Sequence, residues 1–175
     1  MRTVVLSLLF SLIALPGAFA QKVEIESDGG VNFTRFRTFA IRDARLNGKN
    51  PSLNNDIVRH RLEADIRRGL EAKGLVYVES GKSDLNVRFT LGAARKVENE
   101  AYPAGWRGWG TAIVRVPYTE GTLVIDLRDP STRMLVWRAI AREEKSDASK
   151  VEAKLDDMVR KSLDKYPKLP GNVIP

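Results

Sequence analysis

The apolar pattern of this chain opens with a block and then becomes periodic. Val4 to Leu15 is hydrophobic apart from Ser7 and Ser11, Met1-Arg2 places a positive charge before it, and Pro16-Gly17 ends it. Ala18-Phe19-Ala20 supplies small residues at the two positions a signal peptidase reads. The block falls short of the roughly 20 apolar residues of a membrane span. The pattern is that of a secretory signal peptide, residues 1–20, cleaved before Gln21. No second long apolar run follows, so the rest is expected to be one soluble domain over 21–170 with a short tail at 171–175.

Beyond the leader, periodicity predicts the elements. Lys22 to Ser27 reads as a strand ending at Asp28-Gly29-Gly30, and Arg35 to Ile41 as a second. Ser52 is a candidate N-cap for a helix to Lys73, stopped by Gly74. Val58, Leu62, Ile66 and Leu70 recur every four residues, with Leu53 and Ile57 alongside. Leu75 to Val78 is a short strand. Leu85, Val87, Phe89 and Leu91 then alternate with polar residues, as in a half-buried strand. Residues 95 to 112 read as irregular, and the strand pattern resumes at Ile113 to Tyr118.

Thr122 to Arg128 and Met134 to Ala141 flank a turn, Asp129-Pro130-Ser131-Thr132-Arg133, and predict a hairpin. Pairing Arg128 with Met134 puts Leu127 opposite Leu135, Ile125 opposite Trp137 and Leu123 opposite Ala139. A last helix runs from Lys150 to Lys165, with Ser149 and Glu152 at capping-box spacing and a stripe of Val151, Leu155, Met158, Val159 and Leu163. These elements predict a two-layer α+β domain: a mostly antiparallel sheet of about six strands with two helices on its apolar face. The other sheet face then carries Arg88, Thr90, Asp126, Arg128 and Arg138.

Composition narrows the function classes. The chain has no cysteine, which excludes disulfides, thiolate metal sites, a thiol nucleophile and a lipid-modified cysteine. Without that acceptor no stable membrane anchor is expected. The net charge of +7 falls to +6 without Arg2 and is spread along the chain. A diffuse basic surface suits soft association with polyanions or lipid head groups, and equally a solvated face. With export and no concentrated basic stripe, nucleic acid is not an expected partner.

Two segments carry a family resemblance. Asn32 to Ala40 has an aromatic, a small polar residue, a base, then aromatic-basic-Thr-aromatic. Gly121-Thr122-Leu123-Val124-Ile125-Asp126-Leu127, with Asp129 and Leu135-Val136-Trp137-Arg138, is a second signature. Both resemble the domain-of-unknown-function family 4136 of bacterial envelope proteins, and the resemblance extends over nearly all of the chain after the leader. It implies a small α+β fold in a periplasmic or outer-membrane setting, and no activity. Many members look like lipoproteins; this chain lacks their cysteine.

Physical readings of the hairpin need no ligand. Leu123, Ile125, Leu135 and Trp137 are core, Gly121 permits a bulge or turn, and Asp126 with Arg128 and Arg138 makes an ion-pair ladder worth about 0–1 kcal/mol per pair. The alternative is a ligand-binding patch of Arg88, Asp126, Arg128 and Arg138.

The chemistry of catalysis is thinly represented. His60 is the sole histidine, among arginines, and has no evident partner. Ser162-Leu163-Asp164-Lys165 has the Ser-x-x-Lys spacing of penicillin-binding enzymes but none of their other motifs. Asp156-Asp157 and Glu143-Glu144 are adjacent pairs, and neighbours on a helix do not converge. Asn32-Phe33-Thr34 is a glycosylation sequon, relevant only in a eukaryotic pathway. No catalytic residue, metal site or cofactor is expected.

The segment around Tyr102, Trp106, Arg107 and Trp109 holds two of the three tryptophans and is the candidate interaction loop. It either meets a partner or folds back on the core. The reading is an exported, non-enzymatic envelope binding or adaptor module, periplasmic or secreted. Its partner would be an envelope protein or component, and nothing in the sequence requires more than a monomer. The alternative is polyanion or lipid-head-group binding through Arg59, Arg67 and Arg68; an unrecognised hydrolase ranks below both.

Overall fold

A computed structural model describes residues 21–47, 49–104, 110–145 and 147–168. In chain order the elements are β1 (Lys22–Ser27), a 3-10 turn (Phe33–Arg35), β2 (Thr38–Leu46), α1 (Asp56–Glu71), β3 (Val76–Tyr77), β4 (Leu85–Ala104), β5 (Gly110–Arg128), β6 (Leu135–Lys145), α2 (Ala148–Glu152) and α3 (Leu155–Asp164). They form one six-stranded sheet in the order β1-β6-β5-β4-β2-β3. β2 runs parallel to β3 and β4, and the other neighbours are antiparallel. A parallel step needs a crossover, and α1 supplies the one between β2 and β3. The α+β architecture with helices on one face is as the periodicity predicts.

The core lies between that face and the helices. Val58, Leu62, Ile66 and Leu70 of α1 and Leu155, Met158, Val159 and Leu163 of α3 are buried. They meet Leu85, Val87, Phe89 and Leu91 of β4, Leu123, Ile125 and Leu127 of β5, and Trp137, Ala139 and Ala141 of β6. An aromatic cluster closes one end: Tyr166 stands edge-on to Trp137 and to Phe33 at centroid distances of 5.5 and 5.6 Å.

Several boundaries differ from the expected ones. α1 starts at Asp56, because Asn55 rather than Ser52 caps it, accepting from the Val58 N–H at 2.9 Å. Ser52 sits in the preceding turn, yet Leu53 is still fully buried. Ile57 is not part of the buried stripe: it lies one residue, about 100°, round the helix from Val58 and is exposed. Gly74 does end the helix, with φ of +94°. The last helix is two: Asp147, not Ser149, caps α2 by accepting from Lys150 N–H at 3.0 Å, and a turn at Ala153 and Lys154 separates α3. β2 begins three residues late, because Asn32 holds residues 33–35 in a 3-10 turn.

Two corrections bear on function. Within the stretch expected to be irregular, residues 95–104 and 110–112 are strand: β4 and β5 pair without interruption from Asn86↔Arg128 to Ala104↔Gly110, and 105–109 lie outside the described residues. The β5–β6 register is shifted by two, with Leu127↔Trp137, Ile125↔Ala139 and Leu123↔Ala141. An irregularity between Leu127 and Arg128, and Arg133 at φ of +61°, take up the extra residues of the turn. A slip of two keeps every side chain on its face, so the alternation could not detect it.

Gly121 has a packing role rather than a turn role. A Cβ there would lie 2.3 Å from Cγ1 of Val151, on the helix that crosses β5. Gly121→Ala should lower stability by about 1–3 kcal/mol in equilibrium denaturation. Gly29→Ala, with nothing within 4 Å of the added carbon, should change it by less than about 0.5 kcal/mol.

Candidate functional site

Register builds the outer sheet face. Asp126 stands directly opposite Arg138 across β5–β6, closer than the diagonal expected from sequence. The guanidinium grips it with Nε at 2.6 Å and Nη2 at 2.9 Å. Arg128 approaches the same carboxylate at 3.9 Å, and Arg138 also reaches Glu26 of β1 at 3.7 Å. Asp126 is buried beneath these side chains. Its hydrogen bond and charge raise the pKa of Arg138. Arg88 pairs with Asp126 in register but turns its guanidinium to Asp43 of β2, at 2.7 Å. Of the four patch residues, the structure therefore links Asp126, Arg128 and Arg138 and directs Arg88 elsewhere. Arg142 pairs with Glu24 at 2.9 Å. This face is a set of matched charges that holds the strands together.

The remaining candidate is the continuation of β4 and β5. β6 stops pairing with β5 at Thr119↔Lys145, and β2 stops pairing with β4 at Leu46↔Leu91. From Lys96↔Tyr118 to Ala104↔Gly110 the two strands run on as a two-stranded ribbon. Such a ribbon has no core of its own and gains little from burial. It carries Val97, Ile113 and Val114 at 61%, 72% and 46% exposure. Tyr102 belongs to the end of β4, so it is on a strand rather than in a loop. Trp106, Arg107 and Trp109 lie outside the described residues.

The residues considered for catalysis are placed as follows. His60 is exposed on α1. Ser162 is fully buried and donates its hydroxyl proton to the Met158 carbonyl at 2.7 Å, while Lys165 is exposed past the end of α3. Asp156 pairs with Arg61 across the helices at 2.6 Å, and Asp157 pairs with Arg160 and Lys161 on its own helix. Glu143 is buried against Lys145 at 2.5 Å. Asn32 uses its side chain to accept from Thr34. Among the described residues no three His, Cys, Asp or Glu side chains gather as a metal site would require. Arg59, Arg67 and Arg68 each meet a carboxylate on α1 itself: Asp56, Glu71 and Asp65.

Sequence reasoning missed three buried or anchoring carboxylates. Asp84 accepts the Arg37 and Thr38 N–H groups, both at 2.9 Å. Burial pushes its pKa up, but these bonds outweigh it and hold it low. Asp129 is held low chiefly by the Ser131 hydroxyl and backbone, with Arg35 paired to it, which ties the 3-10 turn to the hairpin turn. A cavity of about 670 Å³ beside them is lined by Arg42, Ser83, Asp84, Asn86, Pro130 and Ser131. Its polar groups already serve the loops: Arg42 donates to the Gly81 carbonyl at 2.5 Å and Ser83 to the Leu85 carbonyl at 3.1 Å.

The third is Asp65, in the groove between α1 and α3. It is buried, pairs with Arg68 through Oδ1, and leaves Oδ2 without a hydrogen-bond partner. Burial, then the neighbouring Asp156, raises its pKa against the opposing pull of Arg68 and Arg61. The folded state therefore holds a proton that the unfolded chain releases near its ordinary pKa of 3.8. Stability should fall as pH rises from that value through the raised folded one. Asp65→Asn should remove this fall and raise the melting temperature at pH 7, read from thermal melts between pH 4 and 8.

Comparison with known proteins follows the geometry. No protein of curated function is matched. Among solved structures, a DUF4136 family protein from Bacteroides thetaiotaomicron is 17% identical, with a TM-score of 0.51, covering 85% of this chain and 97% of that one. PelC from Paraburkholderia phytofirmans, described as a dodecamer, is 17% identical with a TM-score of 0.50, covering 82% and 95%. A PDZ domain protein from Parabacteroides distasonis is 16% identical with a TM-score of 0.53, covering 85% of this chain and 36% of its own. At these identities the likeness is one of fold. The DUF4136 profile, a domain of unknown function, matches residues 23–168 and so takes in both signatures, at Asn32–Ala40 and Gly121–Arg138; the chain belongs to the DUF4136 family.

Proposed function

We propose that this protein is an exported, non-enzymatic module of the cell envelope that binds another envelope protein or component through the β4–β5 arm. The carrying observation is the ribbon beyond Lys96↔Tyr118, which presents Val97, Ile113 and Val114 to solvent where no other strand pairs with it among the described residues. A surface of this kind supports a contact role. Export rests on the apolar N-terminal block; among the described residues no helix is long and apolar enough to cross a membrane. A binding role over a catalytic one is supported by the commitments of Ser162, Asp84 and Asp126 to internal bonds. PelC, of like fold, is described as a dodecamer, which supports reading the fold as one that offers surfaces to other chains. The polyanion reading is weakened because Arg59, Arg67, Arg68, Arg88, Arg138 and Arg142 already face carboxylates.

A photo-activated cross-linker at position 113, in cells expressing the full chain, should trap a discrete adduct in the envelope fraction. Val97→Ser with Val114→Ser should reduce that adduct at least about fivefold at equal protein level. No adduct at position 113, with one formed from the exposed position 60 of α1 instead, would overturn the arm as the contact element.

A further inference from the structure

The helix layer stops short of the arm, and a cavity of about 570 Å³ lies where it stops. The cause is a change of side-chain size along one face. Leu85, Val87, Phe89 and Leu91 fill the helix side of β4, and the next residue on that face is Ala93, opposite Gly121. α2 settles on Gly121 through Val151 and buries Ala148. Ala93 and Ala148 are too short to fill the remaining space, and both line the cavity. The loop after β2 forms one wall, anchored where the Asn47 N–H donates to the Leu91 carbonyl at 2.8 Å. Arg95 and Thr119, directly opposite each other across β4–β5, close the side toward the arm. The volume is that of a small-ligand site, roughly 300–1,000 Å³.

The lining holds positive charge and unused donors. Among the described residues, the side chains of Lys49 and Arg95 have no ion-pair or hydrogen-bond partner. Asn50 commits its side-chain oxygen to the Ser52 N–H at 2.9 Å, which leaves its amide nitrogen to donate. The carboxylate of the lining, Asp147, is engaged by α2: it accepts from the Lys150 N–H at 3.0 Å and the Ser149 hydroxyl at 2.7 Å, and lies 3.8 Å from the Lys150 ammonium. Two other cavities lack this surplus. In the α1–α3 groove Arg68 faces Asp65, Arg160 faces Asp157 and Asp164, and Lys73 donates to the Asp164 carbonyl at 3.0 Å. In the cavity of about 670 Å³ beside Asp84, Arg42 donates to the Glu79 and Gly81 carbonyls, and Lys82 alone is unpaired among the described residues.

We propose that this cavity at the base of the arm binds a phosphate monoester, with Lys49 and Arg95 on the phosphate and Asn50 and Thr119 on the polar groups next to it. The site is independent of what the arm itself contacts. A phosphate monoester carries a charge of about −1.5 to −2 near pH 7 and three acceptor oxygens. That matches two cations in a lining rich in donors. A carboxylate brings one charge and two oxygens, and leaves one of the cations unmatched. The Arg95 guanidinium fork suits two phosphate oxygens at once, and the Lys49 ammonium suits the third. The rest of the cavity takes the organic part of the ester. Binding is thus local, unlike attraction to a diffuse basic surface.

The test uses protein purified from the envelope fraction of cells expressing the full chain. Glycerol 3-phosphate is titrated into it by calorimetry, with glycerol as the uncharged control. In parallel the protein is floated with phosphatidylcholine vesicles containing about one fifth phosphatidic acid. Saturable binding of glycerol 3-phosphate and none of glycerol is expected. Lys49→Met and Arg95→Gln should each weaken it at least about tenfold with unchanged melting temperature. Lys82→Met, in the other cavity, should leave it unchanged. Flotation lost in the same two variants identifies a lipid head group as a source of the phosphate; ester binding without flotation restricts the source to soluble esters. Absence of binding to either probe up to about 10 mM ester, equal binding of glycerol, binding that both variants retain, or binding lost in Lys82→Met would each overturn the proposal.

Discussion

The β4–β5 ladder is the constraint on which the rest of the molecule depends. One register, held for nineteen residue pairs, serves two purposes in sequence. Its inner half aligns Val87, Phe89 and Leu91 of β4 with Leu123, Ile125 and Leu127 of β5 on the core face, so a slip by one would turn one strand's set of three to solvent. Its outer half inherits that register without a core to enforce it. The faces of the arm are therefore set by packing many residues away.

Closure of the helix layer on this ladder depends on small residues at two crossings. Gly121 lets α2 lie against β5 through Val151, and Gly69 lets α1 approach α3, where an added Cβ would meet Leu163 Cδ1 at 2.4 Å. The same close packing buries Asp65 at the helix seam and Tyr166 against Trp137. Burial alone raises the Tyr166 hydroxyl pKa, and that hydroxyl and the Trp137 ring nitrogen have no hydrogen-bond partner. On the far face, charge takes the place of helices. Asp126 is sheltered by Arg138 and Arg128, so the uncovered side of the sheet remains polar yet internally matched.

What could be read from sequence was whatever a buried face makes periodic. β1, the α1 stripe, the inner halves of β4 and β5, and Trp137 as core all follow from apolar spacing. The arm did not, because the apolar alternation fades once no helix covers the strands, and the Gly and Pro of the sequence between 95 and 110 mark loops elsewhere. Choice of cap was hidden too: Ser52 and Asn55 are both good caps, and the helix starts at the later one because Leu53 enters the core from the turn. The exact pairing of Asp126 with Arg138 was out of reach for the reason that a slip of two leaves the alternation unchanged. Of the candidate residues, the patch proved to be a structural network and Tyr102 a strand residue, while Trp106, Arg107 and Trp109 lie outside the described residues.

Membership of DUF4136 assigns a fold and no activity, so the functional account stands on the arm. Its central claim is that this ribbon is covered when the protein is at work. Hydrogen exchange of the amides in 96–104 and 110–118 tests it most directly, comparing protein in intact envelopes with the purified chain diluted to nanomolar concentration. Slower exchange in the envelope, confined to the arm and accompanied by unchanged exchange in β1 and β6, is the predicted result. Equal exchange of the arm in both settings would contradict the account.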